Sequence, residues 1–375
     1  MGFREHAAPV RRILGILLGL LLIGGAAAVV LLGGQSPHTT ATKTVRGVIG
    51  SEKYEFFRDP DVVKALATRG YTVKAETSGS WAMDRLALKD YDFAFPGSSE
   101  PAKEIEAAAG VKGAQETRPF YSPLVVIART NAAEVLAANG LAKKGGPHTG
   151  TLLMGPFLKA AADDRTWQQL SGAAAHGELT GTVFVKTTDP ATSNSGALFL
   201  AAASNVANGG TVVADDAALA RTAPLMRKLI SVQGALEPSS DDPFRAFISG
   251  GGEPLILVYE SQVASLLLQQ QGGGDLDNMV VLYPDTTVNT AHTFVPLTDG
   301  ARELGTLLAT DPVLRDLVLR HGFRPQDGVP AFTAATAPHS AYLNPALAGI
   351  RQVGTPTVKN LMALAARAKG QGDTP

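Results

Sequence analysis

Apolar positions along the chain fall into two regimes. Between residues 13 and 32 every position is apolar or glycine, the roughly 20 residues that an α-helix needs to cross a bilayer core. From residue 44 onward, short β-branched runs alternate with helix-spaced ones. Residues 44–49 read as a strand interrupted by Arg46 and Gly47. Asp59-Pro60 then opens a helix with Val62, Val63 and Leu66 on one face, closed by Gly70. Residues 71–75 form a strand, 80–88 a short helix and 92–95 another strand. The Asp-Pro opening recurs at Asp242-Pro243 and Asp311-Pro312. There the Asp oxygen accepts from free N–H groups while proline's fixed φ suits the first helical position. The helix after Pro312 ends at Gly322, a left-handed cap. Residues 120–128 form one long extended segment, followed by a helix over 131–141 with Asn131 as its N-cap. Further strands are expected at 181–186, 254–259, 279–283 and 292–296, glycine turns at 145–150 and 272–274, and a helix at 358–368 carrying Leu361, Met362 and Leu364. The alternation predicts an α/β domain with mostly parallel sheets covered by helices.

The flanks of the long apolar run orient it. Arg4, Arg11 and Arg12 precede it against a single Glu5, which places the N-terminus in the cytoplasm and everything after Gly34 outside. A cleaved signal peptide is the competing reading. Its apolar core is usually shorter, however, and Gly33-Gly34-Gln35-Ser36-Pro37 is a poor cleavage site. The expected organisation is a cytoplasmic tail at 1–12, a single-pass anchor at 13–34, a polar linker at 35–43, an exported domain at 44–368 and a frayed tail at 369–375. Composition adds exclusions. With no cysteine among 375 residues, disulfides, zinc–cysteine sites, iron–sulfur clusters, cysteine nucleophiles and lipid-modified cysteines are ruled out. The 33 basic and 34 acidic side chains argue against a nucleic-acid binder, which carries a basic excess or stripe.

Enzyme motifs are mostly absent: there is no G-x-S-x-G, no phosphate-loop sequence, no H-E-x-x-H and no dinucleotide fingerprint. The seven histidines never pair at ligand spacing, so neither a metal nor another cofactor is expected. What stands out is a set of hydroxyl- and glycine-rich segments after predicted strands. They are Gly50-Ser51-Glu52-Lys53, Thr77-Ser78-Gly79-Ser80-Trp81, Pro96-Gly97-Ser98-Ser99, and a long run from Thr187 and Thr188 through Ser193, Asn194 and Ser195 to Gly196. The last precedes a helical run at 197–206, where free N–H groups and the positive dipole end favour an anion. Ligands in open α/β sheets lie beyond the carboxyl ends of strands, where these segments fall. Taken singly, each also serves as an ordinary cap or turn.

In this order, the Gly-Ser turn after the first strand, the Ser-Gly-Ser and Pro-Gly-Ser-Ser turns, the apolar stretch 121–128 and the Thr-Asp-Pro-Ala-Thr-Ser-Asn-Ser-Gly helix start resemble the bacterial extracellular solute-binding proteins. The likeness is to the type II branch related to molybdate- and sulfate-binding proteins and covers roughly 44–330. Leu257-Val258-Tyr259-Glu260-Ser261-Gln262 and His321-Gly322-Phe323-Arg324-Pro325 resemble segments of a membrane-anchored subset. The resemblance implies two α/β lobes joined by two crossover strands, near 120–128 and 292–296. Lobe one would be 44–122 plus 292–368 and lobe two 123–291. It implies ligand contacts from Ser51, Ser78, Gly79, Ser80, Ser98, Ser99, Thr188, Ser193, Asn194, Ser195 and Tyr259. Lys53 is the only cation in place to neutralise an anion.

The expected function is therefore a membrane-anchored, extracellular, non-enzymatic binder of a small polar or anionic ligand, an oxyanion or carboxylate. It would close by hinge motion and serve a transporter or sensor partner. Two rivals belong to other classes: an interaction domain of the same fold that has lost its ligand, and a serine hydrolase using a serine near His148, His176 or His292. Trp81 and Trp167 are expected in packing rather than in ligand stacking.

Overall fold

The computed structural model describes residues 42–111, 113, 115–269, 276–288 and 290–371. The expected anchor, the cytoplasmic tail, the linker up to residue 41 and the glycine turn at 272–274 lie outside them. No helix among the described residues is long and apolar enough to cross a membrane.

The chain opens with β1 (Lys43–Ile49), α1 (Tyr54–Arg58), α2 (Pro60–Thr68), β2 (Tyr71–Thr77) and β3 (Phe93–Phe95). Then come α3 (Ser99–Ala109), β4 (Thr117–Tyr121), β5 (Leu124–Arg129), α4 (Thr130–Ala138), β6 (Ala142–Lys144), β7 (Thr149–Leu152) and α5 (Met154–Ala162). The middle contains α6 (Asn194–Ala207), α7 (Asp216–Ser231), α8 (Asp241–Ile248), β8 (Leu255–Tyr259) and α9 (Glu260–Leu268). It continues through β9 (Met279–Pro284), β10 (Thr286–Val288), β11 (Ala291–Pro296), α10 (Asp299–Thr310), α11 (Pro312–Arg320) and β12 (Arg324–Pro325). The chain closes with α12 (Val329–Thr336), β13 (Arg351–Val353) and α13 (Val358–Ala368).

Two sheets define two lobes. The first has the order β12-β4-β11-β3-β1-β2 and the second β6-β7-β9-β5-β8. Both are buried on both faces, which explains the unbroken apolar runs of their central strands. Along β5, Leu124, Val126 and Ala128 enter one core while Val125 and Ile127 enter the other. In the first sheet Val45, Ile49, Phe93 and Phe95 face one core, and Val48 and Ala94 the opposite one. The sheets are mixed, not mostly parallel. Helical crossovers keep β1 parallel to β2 and β3, as such connections require. However, β11 arrives from the other lobe and runs antiparallel to β3 and β4. In the second sheet only β7 and β9 are parallel neighbours.

Several local expectations need correction. The extended segment 120–128 is two strands in different sheets, broken at Ser122-Pro123 where the chain changes lobe. Val63 is 49% exposed while Val62 and Leu66 are buried, because Val63 lies about 100° round the helix from Val62, at the outer edge of the buried stripe. Ser80–Arg85 and Leu88–Asp90 form two 3-10 turns in place of one helix over 80–88, and Asn131 lies inside α4, not at its cap. Residues 181–186 form isolated bridges rather than a strand.

The assignment of 292–368 wholly to lobe one also changes. The chain passes between lobes at 122–123 and between β10 and β11, and again after β12. Phe332 and Leu343 then pack in the core of the second sheet, and β13 pairs with β10. Leu361, Leu364, Ala365 and Ala368 of α13, one helical stripe, join the core that also holds α6 and α7. The C-terminal stretch thus belongs to lobe two.

Candidate ligand-binding cleft

Between the lobes lies a cleft of about 600 Å³. Lobe one supplies the turn after β1 (Gly50, Ser51, Glu52) and the end of β2 with its following turn (Thr77, Ser78, Gly79, Ser80). Lobe two supplies Ser193, Asn194 and Ser195 at the start of α6, the segment Pro238–Asp242 with Arg245, and Tyr259 at the end of β8. Helix α6 is buried almost all round from Asn194 to Asn205. Its rigid axis fixes where its N-terminus points. Gly196 N–H donates to Thr188 Oγ1 at 2.9 Å, which leaves the N–H groups of Asn194 and Ser195 without hydrogen-bond partners among the described residues.

The predicted residues separate into two groups. Ser51, Ser78, Gly79, Ser80, Ser193, Asn194, Ser195 and Tyr259 all line the cleft. Ser98, Ser99 and Thr188 do not. Ser98 Oγ is buried and donates to Asn194 Oδ1 at 2.8 Å, Thr188 Oγ1 lies 2.9 Å from Ser195 Oγ, and Ser99 starts α3 beside Glu100. Their hydroxyls satisfy neighbouring polar groups. Tyr259 is 2% exposed, and its hydroxyl accepts from Asn194 Nδ2 at 3.0 Å. Burial, with the Glu52 charge nearby, holds that phenol protonated well above its ordinary range.

The lobes already touch at the inner end of the cleft. Trp81 N–H donates to the Thr192 carbonyl at 3.0 Å, and Ser98 reaches Asn194 as described. This approach requires glycine. A Cβ at Gly79 would stand 2.3 Å from the Thr192 carbonyl oxygen, and one at Gly97 2.8 Å from the Tyr259 hydroxyl. Near the mouth, Arg245 Nη2 donates to Glu55 Oε1 at 2.9 Å across the lobes.

Electrostatics differ from the expectation of an anion site. Lys53 does not face the cleft: it is 0% exposed, ion-paired with Glu52 and 3.0 Å from His292 Nδ1. Although burial opposes it, Lys53 together with His292 holds the Glu52 carboxyl well below the usual carboxylate range. Burial and the Lys53 charge push His292 down to about 4, so it is neutral at physiological pH. Glu76 is paired with Arg46 at 2.8 Å. Among the described residues Asp241 has no such ion pair, and its carboxylate accepts a hydrogen bond from Gln262 Nε2 at 2.8 Å. Burial with the nearby Glu52 charge, against the Arg245 charge, pushes its carboxyl up to about 6.

A side chamber of about 240 Å³ opens beyond Asp241 and shares Ser51, Glu52, Asp241 and Arg245 with the main cleft. Phe244, Ile248, Leu266 and Phe323 form its apolar wall. Sequence reasoning missed this acidic junction. Its signal is present in the chain: Ser239-Ser240-Asp241 is another hydroxyl-rich helix start, but it precedes a helix without following a strand, and Asp242-Pro243 reads only as a cap. In fact Ser240 occupies the N-cap position of α8.

Trp81 and Trp167 are both buried in the lobe-two core. Among the described residues no serine hydroxyl is bonded to a histidine: His148 Nδ1 meets the Met279 carbonyl and His292 meets Lys53. Nor do three or more His, Asp or Glu side chains gather to hold a metal ion among them.

No family model and no curated protein matches the chain. Solved structures do. The chain is similar to the sulfate-binding protein SubI from Mycobacterium tuberculosis H37Rv at 15% identity, with 88% of this chain and 96% of that one covered and a TM-score of 0.53. Iron-bound HitA from Pseudomonas aeruginosa gives 11% identity over 87% and 99%, with a TM-score of 0.55. The periplasmic binding protein AfuA from Actinobacillus pleuropneumoniae, with fructose-6-phosphate bound, gives 14% over 88% and 97%, with 0.53. The shared feature is the two-lobe α/β fold of type II periplasmic binding proteins.

Proposed function

We propose that this chain is a solute-binding protein that captures a small polar molecule between its lobes and closes on it by hinge motion. The observation that carries the proposal is the position of the cleft. Hydroxyls and helix N–H groups from both lobes line one cavity, so a ligand bridging them stabilises the closed state relative to the open one. The names of the solved structures with this fold, two called binding proteins and the third iron-bound, support a role without catalysis, and the lack of a serine–histidine pair among the described residues removes the main support for a hydrolase. A cleft of about 600 Å³ not filled by its own side chains speaks against an interaction domain that has lost its ligand. The anionic half of the expectation has weaker support than the polar half, since the nearby cations are already paired.

The proposal extends to location. The apolar run 13–32 with its upstream arginines would tether the binding domain outside the cytoplasmic membrane, N-terminus inside, near a transporter or sensor. External protease on intact cells should release the domain while an epitope before residue 12 stays protected.

Calorimetry of the full chain against a panel of neutral sugars, amines, carboxylates and oxyanions tests the binding claim. Heat of binding is expected with at least one class and should vanish in Ser78→Trp, whose indole plugs the cleft. Silence across the panel, or binding retained in the plugged variant, overturns it.

A further inference from the structure

Resting on that use of the cleft, we infer that its ligand is a hydroxylated organic cation whose protonated amine sits against Asp241, where the main cleft meets the side chamber. Charge pairing around the cavity points this way. Lys53 is buried in its pair with Glu52, and Arg46 is paired with Glu76. Arg245, which lines the cleft, is shared between an exposed pair with Glu55 and the nearby Asp241, so an oxyanion or carboxylate would compete with two carboxylates for it. It also meets Asp241 and Asp242, for neither of which the described residues supply an ion-pair partner. Asp241 is partly buried, and among the described residues one amide hydrogen bond, from Gln262, reaches its carboxylate. A carboxylate held out of water in this way favours a cation that can donate a charge-assisted hydrogen bond.

A second observation is independent of charge. Ser261 is 2% exposed and its Oγ has no hydrogen-bond partner among the described residues, yet it lines the side chamber with Asp241. Buried polar groups in folded proteins are ordinarily satisfied, so this hydroxyl marks a place where a ligand group completes the site. No three His, Asp or Glu side chains gather as metal ligands among the described residues. That arrangement suits an ammonium group, met by one carboxylate and neighbouring hydroxyls. The apolar wall of Phe244, Ile248 and Phe323 then receives a carbon skeleton, while Ser51, Ser78 and Ser193 face the ligand's hydroxyls.

Three probes with one hydroxylated frame test the charge preference: glucosamine, glucose and glucuronate, each titrated into the full chain near neutral pH. Glucosamine should bind about tenfold or more tighter than glucose, the scale of one charge-assisted hydrogen bond, and glucuronate more weakly than either. Asp241→Asn should collapse the glucosamine-to-glucose ratio to near one, and Ser261→Ala should weaken glucosamine binding while leaving the melting temperature of the chain close to that of the parent. Glucose binding without any advantage for glucosamine, or tighter binding of glucuronate or sulfate, overturns the inference and leaves the cleft's binding role standing. Absence of heat with all three also overturns it. The wider panel and the Ser78→Trp plug then decide the binding role separately.

Discussion

Two carboxylates begin neighbouring helices of lobe two and meet opposite fates. Glu260, first in α9, is 0% exposed and faces Arg324 of the lobe-one sheet, equally buried. Arg324 Nη2 donates to Glu260 Oε1 at 2.7 Å, and the Tyr283 hydroxyl donates to the same oxygen. Arg324 also reaches the Asn344 and Pro345 carbonyls and lies 4.2 Å over the Phe332 ring. Asp241, first in α8, faces the cleft with one amide donor and no ion-pair partner among the described residues. A fully paired buried charge ties the two lobes together beside the crossover at Ser122, whose Oγ accepts from Ser261 N–H. An unpaired charge at the cleft is left to be completed from outside. The first is architecture and the second is specificity.

Breaking the paired carboxylate's network should have the largest effect. Arg324→Ala strands a buried Glu260, and urea unfolding should show a loss of about 3–5 kcal/mol. Next comes the approach of the lobes. Gly79→Ala forces a Cβ against the backbone oxygen of Thr192, so a loss of about 1–3 kcal/mol is expected together with a larger radius of gyration in solution.

Asp241 sharpens the contrast through pH. Its carboxyl is raised from 3.8 to about 6, so the folded state holds the proton more tightly than the unfolded one. The resulting stability is present below about pH 4 and is lost as pH rises through 6. Between those limits the parent should lose on the order of 1–2 kcal/mol more than Asp241→Asn, read from denaturant midpoints across that range. The charged groups acting on Asp241 are Glu52, Glu55 and Arg245, and of these Glu52 is held ionised throughout the window. The smallest effect belongs to the exposed Arg245–Glu55 pair: Glu55→Ala should cost under about 1 kcal/mol and act on lobe closure more than on folding.

What the sequence revealed follows the range of the interactions involved. Strands 44–49, 254–259 and 292–296, the caps at Asp59 and Asp311 and the helix start at Asn194 depend on residues within a few positions of one another. Ser51, Ser78, Ser80 and Ser193 were therefore legible as cleft residues from their places after strands or before a helix. Ser98, Ser99 and Thr188 have the same local signature. Thr188 and Ser99 are taken up by near neighbours, Ser195 and Glu100, whereas Ser98 is taken up by Asn194 of the other lobe. Lys53 failed as an anion ligand for the same reason, since His292 lies 239 positions away in sequence. The reassignment of the C-terminal helix to lobe two likewise depended on which amphipathic face found a partner, and its stripe of leucines and alanines fits either lobe.

The central claim is that ligand binding and lobe closure occur at one cleft. Small-angle X-ray scattering of the full chain, with and without the tightest ligand of the calorimetric panel, tests it most directly. The account predicts that the radius of gyration falls on ligand addition in the parent and stays unchanged in Ser78→Trp. A parent that binds the ligand with no change in radius, or a plugged variant that still contracts, would contradict it.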